Sequence, residues 1–130
     1  MAGIARSLLP LSLSLWASVA VAGDSGRGRA LLADRTKSLC VLCHVVPGAA
    51  AHLQGSLAPD LRGVGARYTE AELAAHITMP ERFNPETIMP SYGRTDGFAN
   101  VGRAWLGKPV MAPGQIEDIV AYLLTLKDAP

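Results

Sequence analysis

Cys40 and Cys43 are the only cysteines of the 130-residue chain, and His44 follows the second directly, so two thiols and an imidazole crowd into one turn of backbone. Several chemistries use such a group. Cys-x-x-Cys-His is the attachment pattern of c-type haem: the spaced thiols meet the two vinyl groups and the adjoining imidazole takes an axial position on the iron. A thioredoxin-like redox pair needs a βαβ setting and a helix N-terminus to lower a thiol pKa, and no stretch here alternates as a strand would. Zinc needs a closed tetrahedron, whereas Cys40, Cys43 and a histidine supply three ligands at best, with His44 too close to Cys43 to join it comfortably. A disulfide between residues so near in sequence closes almost no loop and stabilises little. The pattern therefore points to one covalently attached haem c, with Cys40 and Cys43 as thioether residues and His44 as proximal ligand.

A haem iron has a second axial face, and its occupant sets the function. Methionine raises the potential and suits electron transfer, histidine gives a lower potential, and an open face admits small molecules. The candidates are Met79, Met89, Met111, His52 and His76. His76 stands four residues after Glu72, where an ordinary helix-surface pair accounts for it, and His52 lies only eight residues past His44, a short path around a haem edge. Met89 lies 45 residues after His44, bracketed by Pro85 and Pro90 in a stretch that cannot be a long helix. Met79 also precedes a proline, at a helix end, and Met111 adjoins the last helix.

The elements that must position these groups read as helices. Ser25 to Asp34 forms the first, although Gly26 and Gly28 weaken its start, and it runs straight into the cysteine pair. Thr69-Glu70-Ala71-Glu72 is a capping box that opens a helix to about Thr78, limited by Pro80. The last helix has Pro113 in its first turn, Glu117 and Asp118 near its positive end and Lys127 near its negative one. Ile116, Ile119, Val120, Leu123 and Leu124 give it one apolar stripe. Glycine and proline crowd the stretch from Pro80 to Pro113, so an all-α domain with a long, loop-rich middle is expected.

Residues 1–22 read as a leader outside that domain: Arg6 supplies the positive end, Leu8 to Ala20 is apolar, and Ala20-Val21-Ala22 has the small-x-small form cut by signal peptidases. The run is too short for a membrane span. The expected product is an exported, periplasmic domain over residues 23–130. Without Arg6 it carries 11 basic and 11 acidic residues, a balance that offers nothing to nucleic acid or an anionic membrane surface. It also contains only one tryptophan, Trp105, with two phenylalanines and three tyrosines, so core material is scarce and a bound cofactor is the natural filling.

Behind the haem motif, "LAPDLRGVGARYTEAELAAHI", "RFNPETIMPSYGRTDGF" and "GQIEDIVAYLLTLK" resemble SoxX, the small c-type cytochrome subunit of the SoxXA thiosulfate-oxidation complex. The resemblance covers about Cys40 to Lys127, and its narrowest signal is the Asn84 to Tyr92 stretch. It implies a class I cytochrome c fold of a few helices and long loops around one haem, with Met89 as the distal ligand. It also implies that the Pro59 carbonyl accepts a hydrogen bond from the proximal imidazole. Arg67 and Tyr68 are candidates to meet a haem propionate, a guanidinium matching a carboxylate fork and a phenol donating; a solvated loop arginine is the alternative. The family often has Gly-Asn before the first cysteine, where Ser38-Leu39 stand here.

The implied role is electron relay, with no catalytic residue in this chain, inside an L-cysteine S-thiosulfotransferase that couples thiosulfate to a cysteine of the SoxYZ carrier protein. A SoxA-like cytochrome subunit would be the direct partner, forming a heterodimer, and a small acceptor cytochrome would take the electrons. The other reading is an independent soluble monohaem cytochrome c shuttling electrons in the periplasm. Such a shuttle often carries a strongly charged docking face, and the mixed charges here lean towards a lasting partner. In that case the Phe98 to Val110 stretch around Trp105 is the expected interface.

Overall fold

The computed structural model describes residues 22–128. All of the leader segment except Ala22 lies outside the described residues, as does the end of the chain after Asp128. Among the described residues the regular structure is helical: α1 (Ser25–Ala33), α2 (Val64–Arg67), α3 (Glu70–Thr78) and α4 (Pro113–Leu123), with single 3-10 turns at Cys40–Leu42, Ala51–Leu53, Pro80–Arg82 and Arg103–Trp105. No described helix is long and apolar enough to cross a membrane.

The crossing of α1 over α4 is the most extensive helix contact. Gly28 makes it possible: a Cβ there would lie 1.8 Å from the carbonyl oxygen of Asp118. The residue that weakens the helix by propensity is thus the one that lets two backbones touch. Asp24 caps α1, its carboxylate accepting from the Arg27 amide at 2.7 Å. Arg27 in turn donates to the buried Asp118 carboxylate through Nε at 2.8 Å and Nη2 at 2.9 Å, and the Asp24 amide adds a third donor at 2.6 Å. Those donors, the Arg27 guanidinium first, hold Asp118 below the usual carboxylate range. Asp118 therefore serves this crossing as well as the helix dipole.

The stripe of α4 buries Ile116, Ile119, Val120 and Leu123 against Leu32 of α1 and Leu73 and Ile77 of α3, with Leu124 partly buried at its end. The capping box of α3 is formed in both directions: the Glu72 amide donates to Thr69 Oγ1 at 3.3 Å and the Thr69 amide to the Glu72 carboxylate at 2.8 Å.

Two expectations need correction. Helix α4 ends at Leu123, so Lys127 lies beyond its last turn; its ammonium donates instead to the Gly65 carbonyl at 2.5 Å. Helix α2 was not expected, because four residues are too few to show a period. It exists because Gly65 slips beneath the end of α4, where a Cβ would lie 2.5 Å from the Leu123 carbonyl oxygen.

Candidate haem-binding site

A cavity of about 700 Å³ opens between the Cys40–Leu42 turn, α2, α3 and the segment from Asn84 to Pro90. Cys40, Cys43, His44, Pro59, Arg67, Tyr68 and Met89 all line it. The expected site residues are therefore brought to one space from four separate stretches of chain.

Both thiols are free and partly buried. Burial pushes the Cys40 thiol above its ordinary value, so it waits in the protonated form that adds across a vinyl group. The turn that presents it contains a strained residue. Leu39 has φ 62° and ψ 2°, the left-handed region that glycine and asparagine enter with least penalty. This is where Ser38-Leu39 replaces the Gly-Asn often found in the resembled family. The departure thus costs backbone energy and leaves the attachment residues alone.

His44 Nδ1 lies 2.6 Å from the Pro59 carbonyl oxygen. A carbonyl only accepts, so Nδ1 carries the proton and Nε2 is the free lone pair, the tautomer a metal needs. The bond also fixes the ring and strengthens it as a donor. Arg67 closes α2 and Tyr68 caps it, so neither stands in an open loop. The guanidinium of Arg67 donates to the carbonyls of Arg62 at 2.9 Å and Asp60 at 3.3 Å, which pins it at the cavity wall next to the Pro59 segment.

Of the three candidate methionines, Met89 and Met111 line the cavity and Met79 does not. Met79 is instead the C-cap of α3. Met111 is buried, and its amide donates to the Tyr92 carbonyl at 3.0 Å. His52 is exposed and does not line the cavity. His76 is not a plain surface residue: it lines the cavity, half-buried, stacked on Phe83 at 3.7 Å between ring centroids and met edge-on by Tyr68 at 5.2 Å.

Tyr92 was not singled out as a site residue, yet it ties the site together. Its buried phenol donates to the Ser38 carbonyl, beside the cysteine turn, and its amide donates to the Ile77 carbonyl at 3.2 Å. One residue thus links the attachment turn, α3 and the segment that carries Met89. Its signal in the sequence is its place at the end of the Asn84 to Tyr92 stretch, three residues past Met89.

The cavity fits a large, flat, mostly apolar group. Five of the eleven exposed large hydrophobic residues described line its walls and mouth, among them Leu57 at 71% and Ile88 at 74% exposure. Such a rim is costly in water and is explained by something that covers it. The donor set agrees, with two thiols, an oriented imidazole and a thioether in one space. Among the described residues, no group of three or more histidine, cysteine or acidic side chains gathers as a zinc site would require.

The Cytochrome c family model matches residues 26–127. The chain belongs to the cytochrome c family. A covalently bound haem c is the family's cofactor, and Cys40-Val41-Leu42-Cys43-His44 is the pattern that takes it. The fold is that of a class I cytochrome c domain, helical and without strands among the described residues. Within the family, the chain is similar to one in the crystal structure of SoxXA from P. pantotrophus, with 32% identity and a TM-score of 0.74 over 84% of this chain and 85% of that one. The SoxX resemblance read from the Asn84 to Tyr92 stretch is thereby supported. The ferric cytochrome c-550 structure from Paracoccus versutus matches over 81% of this chain and 98% of that one, but at 20% identity and a TM-score of 0.42, too loose a likeness to argue from. No curated protein matches the chain.

Proposed function

We propose that this chain is the electron-transfer subunit of a SoxXA-type complex, in which a SoxA-like partner joins thiosulfate to a cysteine of a SoxYZ-type carrier. The observation that carries this reading is the likeness, at 32% identity over most of both chains, to a SoxXA structure. The haem, when bound, supplies a one-electron centre. The chain's own residues would do the rest: Cys40 and Cys43 would hold the group by thioether bonds, and His44, oriented by the Pro59 carbonyl, would offer Nε2 to the iron. Met89 would offer its sulfur as the second protein ligand, and Leu39, Leu42, Leu57 and Ile88, which line the cavity, would keep water from the group. A methionine there sets the higher potential suited to accepting electrons from a partner and passing them to a small acceptor cytochrome.

Both cysteines are committed to attachment, which leaves this chain no thiol for sulfur transfer; that chemistry belongs to the partner in an L-cysteine S-thiosulfotransferase. The apolar leader over residues 1–22 supports cleavage near Ala22 and a periplasmic cytochrome domain over residues 23–130, the compartment in which c-type haem is attached.

Co-expression with a SoxA-type subunit in a haem-maturing host tests the reading. A stable heterodimer is expected, whose haem in this chain is reduced on adding thiosulfate and the carrier protein. A lone monomer that exchanges electrons at full rate and binds no such subunit would favour the independent cytochrome instead.

A further inference from the structure

The cavity holds a second imidazole that the proposed haem ligation does not use. His76 sits on α3 between Leu73 and Ile77, which line the same cavity as Met89. Its ring is fixed on two sides, by the Phe83 face at 23° between planes and by the Tyr68 edge at 66°. Fixing a ring this way removes most of the entropy cost of using it. Yet while the Nδ1 of His44 is taken by Pro59, neither nitrogen of His76 has a protein hydrogen-bond partner among the described residues. An oriented, half-buried imidazole with both nitrogens unclaimed, in the wall of a cavity built for a metal group, is available as a ligand.

The segment that carries Met89 is, by contrast, thinly held. The Met89 amide bonds only to Thr87 Oγ1 at 3.1 Å, the Thr87 amide to the Asn84 carbonyl at 3.0 Å, and the Glu86 amide to Asn84 Oδ1 at 3.1 Å. All three bonds stay inside the segment, and its ties to the helical side lie at its two ends, the Asn84 amide to the Pro80 carbonyl at 3.1 Å and the Tyr92 amide to the Ile77 carbonyl at 3.2 Å. A thioether is also a soft, weak ligand, whereas imidazole binds iron well and holds the oxidised metal in particular. A weak ligand whose own amide is held only by Thr87 shares the cavity with a strong one whose ring is stacked on Phe83.

We infer that His76 is a reserve axial ligand, the group that takes the distal iron position when the Met89 sulfur leaves it. The inference rests on Met89 as the resting ligand. Exchange would move no atoms out of the chain: the Met89 sulfur would give up one iron bond and a nitrogen lone pair of His76 would form one in its place. The consequence is a second, lower-potential state of the same haem.

Three variants of the holoprotein decide the matter, read by near-infrared absorption, electron paramagnetic resonance and potential in the ferric state at neutral pH. Phenylalanine at position 76 keeps the stack on Phe83, so His76→Phe alone should retain the sulfur-to-iron charge-transfer band. Met89→Ala should lose that band, stay low-spin with two nitrogen ligands and fall in potential. Met89→Ala/His76→Phe should turn high-spin and bind added imidazole at least about tenfold more tightly than the single variant. If Met89→Ala keeps the band, Met89 is not the ligand and the reserve role falls with it. If the band is lost but Met89→Ala is high-spin, or the double variant remains low-spin, Met89 stands and His76 does not.

Discussion

Two parts of the molecule expose large apolar side chains, and they do so on different foundations. At the cavity, exposed Leu39, Leu42, Leu57 and Ile88 surround a wall of buried Val64, Leu73, Ile77 and Tyr92, tied to three segments through Tyr92 and Pro59. Between Phe98 and Val110, exposed Phe98, Trp105, Leu106 and Val110 lie in and around a single 3-10 turn, Arg103–Trp105, whose bonds are local, Trp105 amide to Gly102 carbonyl at 2.8 Å and Lys108 amide to Trp105 carbonyl at 3.1 Å. None of these four lines the cavity. Exposure that is concave, braced and rich in donors belongs to a group held within the chain. Exposure that is convex to the cavity and locally built is suited to a partner outside it.

The most severe way to test that division is to remove the internal group. Cys40→Ala/Cys43→Ala should leave a polypeptide with no haem mass and no sharp thermal transition, because the centre of the fold loses its filling; a cooperative, haem-free variant would mean the cavity side needs no cofactor to fold. On the other side, Trp105→Ala should leave the haem spectrum unchanged and stability within about 0.5 kcal/mol, as expected for a side chain 62% exposed. Co-purification with a SoxA-type subunit should weaken by about 2 kcal/mol, the scale of an aromatic anchor at an interface. Unchanged partner binding would remove the 98–110 loop from the interface.

A smaller effect is expected at the cysteine turn. Leu39→Asn should stabilise the holoprotein by about 1 kcal/mol in chemical denaturation, since the left-handed backbone there suits asparagine better than leucine. Destabilisation would show that the Leu39 side chain matters more as haem cover than its backbone costs.

The least effect, and the one belonging to neither region, concerns Asp118. Its folded pKa lies below the unfolded value of about 3.9, so its contribution is present above that pH and is lost as pH falls through the folded value. Asp118→Asn should therefore be less stable near neutral pH and converge with the parent in acid. A constant gap across the pH range would assign the loss to packing.

Much of this was legible beforehand where chemistry or period repeats in sequence. The cysteine pair with its histidine, the capping box at Thr69 and the stripe of α4 each announce themselves within a few residues. What escaped depends on contacts made far along the chain. Gly28 looks like a flaw until Asp118 is beside it, and Lys127 looks like a dipole partner until Gly65 is seen to claim it. His76 fits an ordinary surface pair with Glu72 until Phe83 and Tyr68 enclose its ring at the cavity. The 98–110 loop offers composition but no period, so only its exposure could separate Trp105 from the core.

The α1–α4 crossing also fixes an order in time. Asp24 and Asp118 are joined across 94 positions, and the cysteine pair lies between them. A chain made from its N-terminus presents Cys40, Cys43 and His44 long before Asp118 exists, and the long loop must close before its contacts are rewarded. Until then nothing clamps the ends together, and the attachment turn is accessible to whatever delivers the haem. The helix that locks the fold is thus the last of its helices to be made.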